Sequence, residues 1–186
     1  MFRWFRRAKA QQRGNANLVH SLFERIAEQA RRPELYTTLG VADTVMGRFE
    51  MLALHVHLFQ HRARNGSAAL QAMAQDVVDA LFRELDDSLR QIGIGDVAMP
   101  KRMKRLARMV YGRWEAYGAA LDAGDRQALA EAFARNVYVE GGVAARAPEL
   151  ADYALSARRS LADQSDETFL MGRIEFPEPA TVEAVS

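Results

Sequence analysis

Between Val45 and Arg64 the chain reads VMGRFEMLALHVHLFQHRAR. Wound as a helix, this stretch is apolar on nearly every side. Phe49, Leu52, Val56, Phe59 and Ala63 form one stripe, and Met51, Leu54 and Leu58 cover much of the rest. A helix of that kind is satisfied only when several neighbours surround it. The feature therefore demands a compact bundle built around one central helix.

The flanking sequence supplies the neighbours. Apolar positions recur with a helical period nearly throughout, and strand-like alternation is almost absent. A first helix is expected from Asn17, read as its N-cap, to Arg32, with Leu18, Leu22, Ile26 and Ala30 inward. Pro33 opens a short helix that Gly40 closes. The segment ADT caps the central helix, and Ser67 caps a fourth that reaches Ile92. A fifth runs from about Val97 to Leu121, a sixth from Asp125 to Val139 and a seventh from Pro148 to Asp163. The expected fold class is all-α, a compact bundle of six or seven helices around the buried helix at about 45–64, with extended or disordered termini. Residues 1–14 form a basic-aromatic segment, 15–166 a single helical domain, and 167–186 an extended or disordered tail.

Charge is segregated within this bundle. The fourth helix carries Asp76, Asp79, Glu84, Asp86 and Asp87 on its outside, against Arg83 and Arg90. The fifth carries Lys101, Arg102, Lys104, Arg105, Arg108 and Arg113, with no acid until Glu115. A tight glycine turn, IGIGD, joins the two, so an antiparallel hairpin with facing opposite charges is expected.

Several chemistries are disfavoured. With no cysteine, a thiolate nucleophile, a disulfide scaffold and a cysteine zinc site are excluded. GIGDVAMPK lacks the second glycine and the Ser/Thr of a Walker loop, and Pro100 removes an amide donor. Ser21, Ser67, Ser88 and Ser156 sit without a nucleophile elbow. His57 and His61 are four residues apart and share a face with Glu50, which is the geometry of a partial metal site, but no third close ligand follows. The simpler reading is two polar side chains at the edge of a buried helix. No catalysis, metal or cofactor is expected, and no DNA-binding module matches.

The start of the chain is different. Phe2, Trp4 and Phe5 alternate with Arg3, Arg6 and Arg7 in MFRWFRRAKAQQR, with no apolar run after them that would make a signal peptide. Aromatics for the headgroup region and cations for anionic lipid are the two parts of a peripheral membrane foot. A plain basic tail is the alternative.

Two blocks carry a family resemblance. GVADTVMGRFEMLALHVHLF, Gly40 to Phe59, and DDSLRQIGIGDVAMPKRMKRLARMVYGR, Asp86 to Arg113, together resemble the ubiquinol–cytochrome c chaperone family over about residues 34–140. Ala42, Gln91 and Val110 depart from the family's common proline, glutamate and phenylalanine. The resemblance implies a helical chaperone that binds newly made cytochrome b, or another respiratory complex subunit, and supports assembly of the ubiquinol–cytochrome c reductase. It also implies work near the ribosomal exit site. On this reading Asp43, Thr44, Arg48, His55, Lys101, Met103, Lys104, Arg105, Tyr111 and Arg113 are the partner-binding candidates. Phe2, Arg3, Trp4, Phe5, Arg6 and Arg7 are the membrane candidates, and the protein is placed in the cytoplasm, peripheral on the inner membrane. Gly47 is expected to permit close helix packing, and Arg48 to pair with an acid of the fourth helix. The rival readings are a ribosome- or RNA-associated module and a histidine metalloprotein.

Overall fold

A computed structural model describes residues 2–91, 99–139 and 141–179, with side chains from residue 16 onward. In chain order the helices are α1 (Phe2–Ala30), α2 (Pro33–Thr37), α3 (Val45–Ala63), α4 (Ala68–Gln91), α5 (Met99–Ala123), α6 (Arg126–Asn136), α7 (Ala147–Ala162) and α8 (Asp166–Leu170). A 3-10 turn, Ala144–Arg146, leads into α7. The described residues hold no strand; a single antiparallel bridge joins Val41 to Gly142.

Helix starts follow local chemistry. Thr44 accepts the Gly47 amide at 3.1 Å, Asp125 the Ala128 amide at 2.9 Å, and Ser67 the Leu70 amide at 3.3 Å. Each such cap contributes about 1 kcal/mol. Asn17 is the exception. It lies inside α1, whose backbone is helical from Phe2. Residues 2–16 are rich in Arg, Lys, Ala and Gln, all strong helix formers, and Gly14 costs only about 1 kcal/mol against alanine. The N-terminal segment is thus a helical extension in its backbone. The side chains of the membrane candidates Phe2, Arg3, Trp4, Phe5, Arg6 and Arg7 lie outside the described residues.

α3 is the axis of the bundle. Met51, Val56, Leu58 and Phe59 are fully buried, enclosed by α1, α4, α5 and α7, with α6 packed on α5 and α7. The C-terminal segment closes the end of this core rather than trailing from it. Phe169 of α8 is fully buried, 5.4 Å between ring centres from Phe59. Arg62 holds the approach by donating to the carbonyls of Leu161 and Gln164 at 3.1 and 2.8 Å and to Asp166 at 2.9 Å. Ile174 is buried and Phe176 reaches His55. The boundary expected at residue 166 therefore does not divide the described structure.

The opposed charges of α4 and α5 do not neutralise each other. Among the described residues no ion pair links an acid of α4 to a cation of α5; the two helices meet through the rings of Phe82 and Tyr111, 5.8 Å apart. The glycine turn expected between them lies outside the described residues.

Candidate functional site

The first motif block divides into residues that build the fold and residues that reach the surface. A Cβ on Gly47 would sit 1.9 Å from the Ala42 carbonyl oxygen. The missing side chain lets the first turn of α3 close against its own entry loop, rather than against another helix. Thr44 is the cap of that turn. Gly40 takes φ +68° and accepts the Val143 amide at 2.8 Å, which pins the 141–143 loop beside the motif.

His55 is internal. Its Nδ1–H donates to the Met51 carbonyl at 2.7 Å, which leaves Nε2 to accept from the Tyr153 hydroxyl at 2.7 Å. Gln29 donates to that same hydroxyl at 3.0 Å and to the Pro177 carbonyl at 3.0 Å. One hydrogen-bonded chain thus ties α1, α3, α7 and the C-terminal segment. Burial pushes the imidazole down to about 4, so it is neutral at pH 7. As a partner contact His55 is ruled out by its zero exposure.

Asp43 and Arg48 do face solvent. They pair with each other, Arg48 donating through Nε at 2.6 Å and Nη2 at 3.2 Å, and not with an acid of α4 as expected. The guanidinium holds the Asp43 carboxyl below its usual range. Beside them Val45 stands 75% exposed at the mouth of an apolar depression of about 240 Å3, floored by Phe49, Leu52, Leu81 and Leu85.

The second block lies along α5. Lys101, Lys104, Arg105 and Arg108 recur at helical spacing on one exposed face that continues to Tyr111 and Gly112. None of these four cations forms an ion pair among the described residues. Tyr111 is half exposed, leaning edge-on against Trp114 with ring centres 5.6 Å apart. Met103 is half-buried at the rim of the face and Met99 is buried, so the methionines point mainly inward. Gly112 differs from Gly47: a Cβ there would meet nothing within 4 Å. Arg113 turns inward and forms a salt bridge with the buried Glu50, so it belongs to the core framework and not to the exposed face.

That pairing also commits Glu50, the third member of the partial metal site. His57 and His61 are both buried, deeper than the helix edge expected for them. His57 stacks on Trp114 at 5.1 Å, and burial pushes its pKa down to about 3. His61 places Nε2 2.9 Å from Asp122, which also binds Arg64. Among the described residues no three His, Asp or Glu side chains converge on one point that would hold a metal. Neither is any described helix long and apolar enough to cross a membrane.

Residues 37–176 match the ubiquinol–cytochrome C chaperone family, which spans both motif blocks and the C-terminal segment. The chain belongs to that family. A crystal structure of the Cbp3 homolog from Brucella abortus is 43% identical, covers 96% of this chain and 98% of its own, and superposes with a TM-score of 0.85. No curated protein matches. Membership supports a chaperone or assembly role.

Four residues complete the site's framework, Glu50 from within the first block and Gln29, Tyr153 and Phe169 from outside both. Glu50, Tyr153, Gln29 and Phe169 hold the motif helices in place. Only Glu50 carried a sequence signal, a carboxylate on the most apolar helix of the chain.

Proposed function

We propose that this protein holds newly made cytochrome b during assembly of the ubiquinol–cytochrome c reductase, gripping it without covalent chemistry through the exposed face of α5. The observation that carries the reading is Gly112. A glycine in a helix interior costs about 1 kcal/mol relative to alanine, and among the described residues no neighbour needs the space. Close approach by another protein does need it. Around it lie half-exposed Tyr111, able to supply an aromatic anchor, and the unpaired cations Lys101, Lys104, Arg105 and Arg108. Met103 at the rim adds an adaptable apolar contact.

The membrane candidates at residues 2–7 would hold the protein on the cytoplasmic side of an anionic inner membrane, next to where such a client emerges. Composition supports this placement. The same unpaired cations also favour a second reading, contact with ribosomal RNA near the exit site.

The test is the triple variant Lys101→Glu, Lys104→Glu, Arg105→Glu. It should melt like the parent and fail to copurify with cytochrome b. Normal cytochrome b recovery with the triple variant would reject the α5 surface. Loss of ribosome co-sedimentation with cytochrome b unaffected would favour the ribosomal reading.

A further inference from the structure

A second candidate surface is built by helices other than α5. Between α1 and α4 runs an open groove of about 570 Å3 whose floor is Val19, Phe23 and Ala80. Its walls are acidic. Glu24 projects from α1, and Asp76, Glu84 and Asp87 from α4, against one guanidinium, Arg83. None of these four carboxylates forms an ion pair among the described residues. Glu84 also lines the apolar depression beside Val45 and Arg48, so the two cavities adjoin. The acidic groove and the more apolar depression thus share the Glu84 side chain.

A groove with an apolar floor and unneutralised carboxylate walls selects a segment that is apolar along one side and cationic along the other. Cytoplasmic flanks of membrane-spanning helices have this composition, because Lys and Arg accumulate there next to the apolar span. We infer that the α1–α4 groove receives the Lys/Arg-bearing cytoplasmic end of a membrane helix of the client. The identity of the occupant rests on the client being a membrane protein, as in the proposed function; the groove's chemistry does not. The α5 face is basic and the groove acidic, and one client can engage both.

The full chain is titrated with a fluorescent synthetic helix carrying a leucine stripe and Lys/Arg flanks, and with a twin that carries Glu in place of those cations. Wild type should bind the basic peptide and ignore the acidic twin, with affinity falling as salt rises. Glu24→Lys, Asp76→Lys, Asp87→Lys together should weaken binding by about tenfold or more, while the α5 triple variant binds as wild type. The milder Glu24→Gln, Asp76→Asn, Asp87→Asn variant gives the same direction if charge reversal disturbs folding. Equal affinity for both peptides, or undiminished binding by the groove variants, would overturn the inference. So would a wild-type dimer that the groove variants split without peptide, since a second copy would then be the occupant. Unchanged cytochrome b in cells lacking the protein would reject the proposed function yet leave the peptide result standing.

Discussion

At Gly112 and Arg113, adjacent residues of one motif have opposite tasks. Gly112 weakens its helix, and among the described residues nothing fills the space. Gly112→Ala should raise the unfolding free energy by about 0.5–1 kcal/mol in urea melts while lowering recovery of cytochrome b with the protein. An unchanged recovery would place the partner elsewhere. Arg113 answers the buried Glu50. Arg113→Ala removes a charged hydrogen-bond partner from a buried carboxylate and should cost about 1.5–3 kcal/mol. Lys101→Ala, fully on the surface, should stay within about 0.5 kcal/mol of the parent. What was legible at this scale was chemistry closed within a few residues. Thr44, Ser67 and Asp125 were readable as caps because donor and acceptor lie three positions apart. His55 was readable only as a motif residue, since its partner Tyr153 lies 98 residues away.

Helical faces, likewise, were legible where their neighbours were not. The acidic outside of α4 and the basic face of α5 are both as the charge pattern indicates. The sequence placed them against each other because the helices are consecutive. In the fold, α1 lies along α4, and Asp76, Glu84 and Asp87 line a groove between them. Periodicity says which side of a helix is wet and not what stands beyond it. The C-terminal segment escaped for a related reason: five residues of α8 are too few to show a period, yet they deliver Phe169 to the core. Phe169→Ala should cost about 3–5 kcal/mol, read as a lowered urea midpoint with an unchanged slope. A loss below about 1 kcal/mol would mean that α8 is dispensable to the bundle.

Across the whole molecule, the buried histidines set a pH limit. His55 and His57 have folded pKa values depressed to about 4 and about 3 from 6.5, and His61 is depressed as well, all through burial. The unfolded chain therefore binds more protons below pH 6.5. Stability is complete above that pH and falls as pH drops towards the folded values, by about 1.4 kcal/mol per pH unit for each of His55 and His57, with His61 adding in the same direction. The carboxyls held low by their partners, Asp43, Asp122 and Asp166, lose their contribution only below their ordinary value of 3.8. The window from pH 6.5 to 4.5 thus isolates the histidines. His57→Phe keeps the stack on Trp114 and should flatten the slope there by about 1.4 kcal/mol per pH unit. An unchanged slope would mean that His57 is not the neutral buried group described.

An all-α bundle with a basic helix face and an acidic groove fits the holding of a membrane subunit until its partners arrive. The most direct measurement is the reduced-minus-oxidised spectrum of membranes from cells in which the gene is deleted and then restored as wild type or as Lys101→Glu, Lys104→Glu, Arg105→Glu. The assembly role predicts selective loss of the b-type haem signal and of ubiquinol–cytochrome c activity on deletion, recovery with wild type, and no recovery with the triple variant. Unchanged b-type haem after deletion would contradict the role itself, and full recovery with the triple variant would contradict its placement on α5.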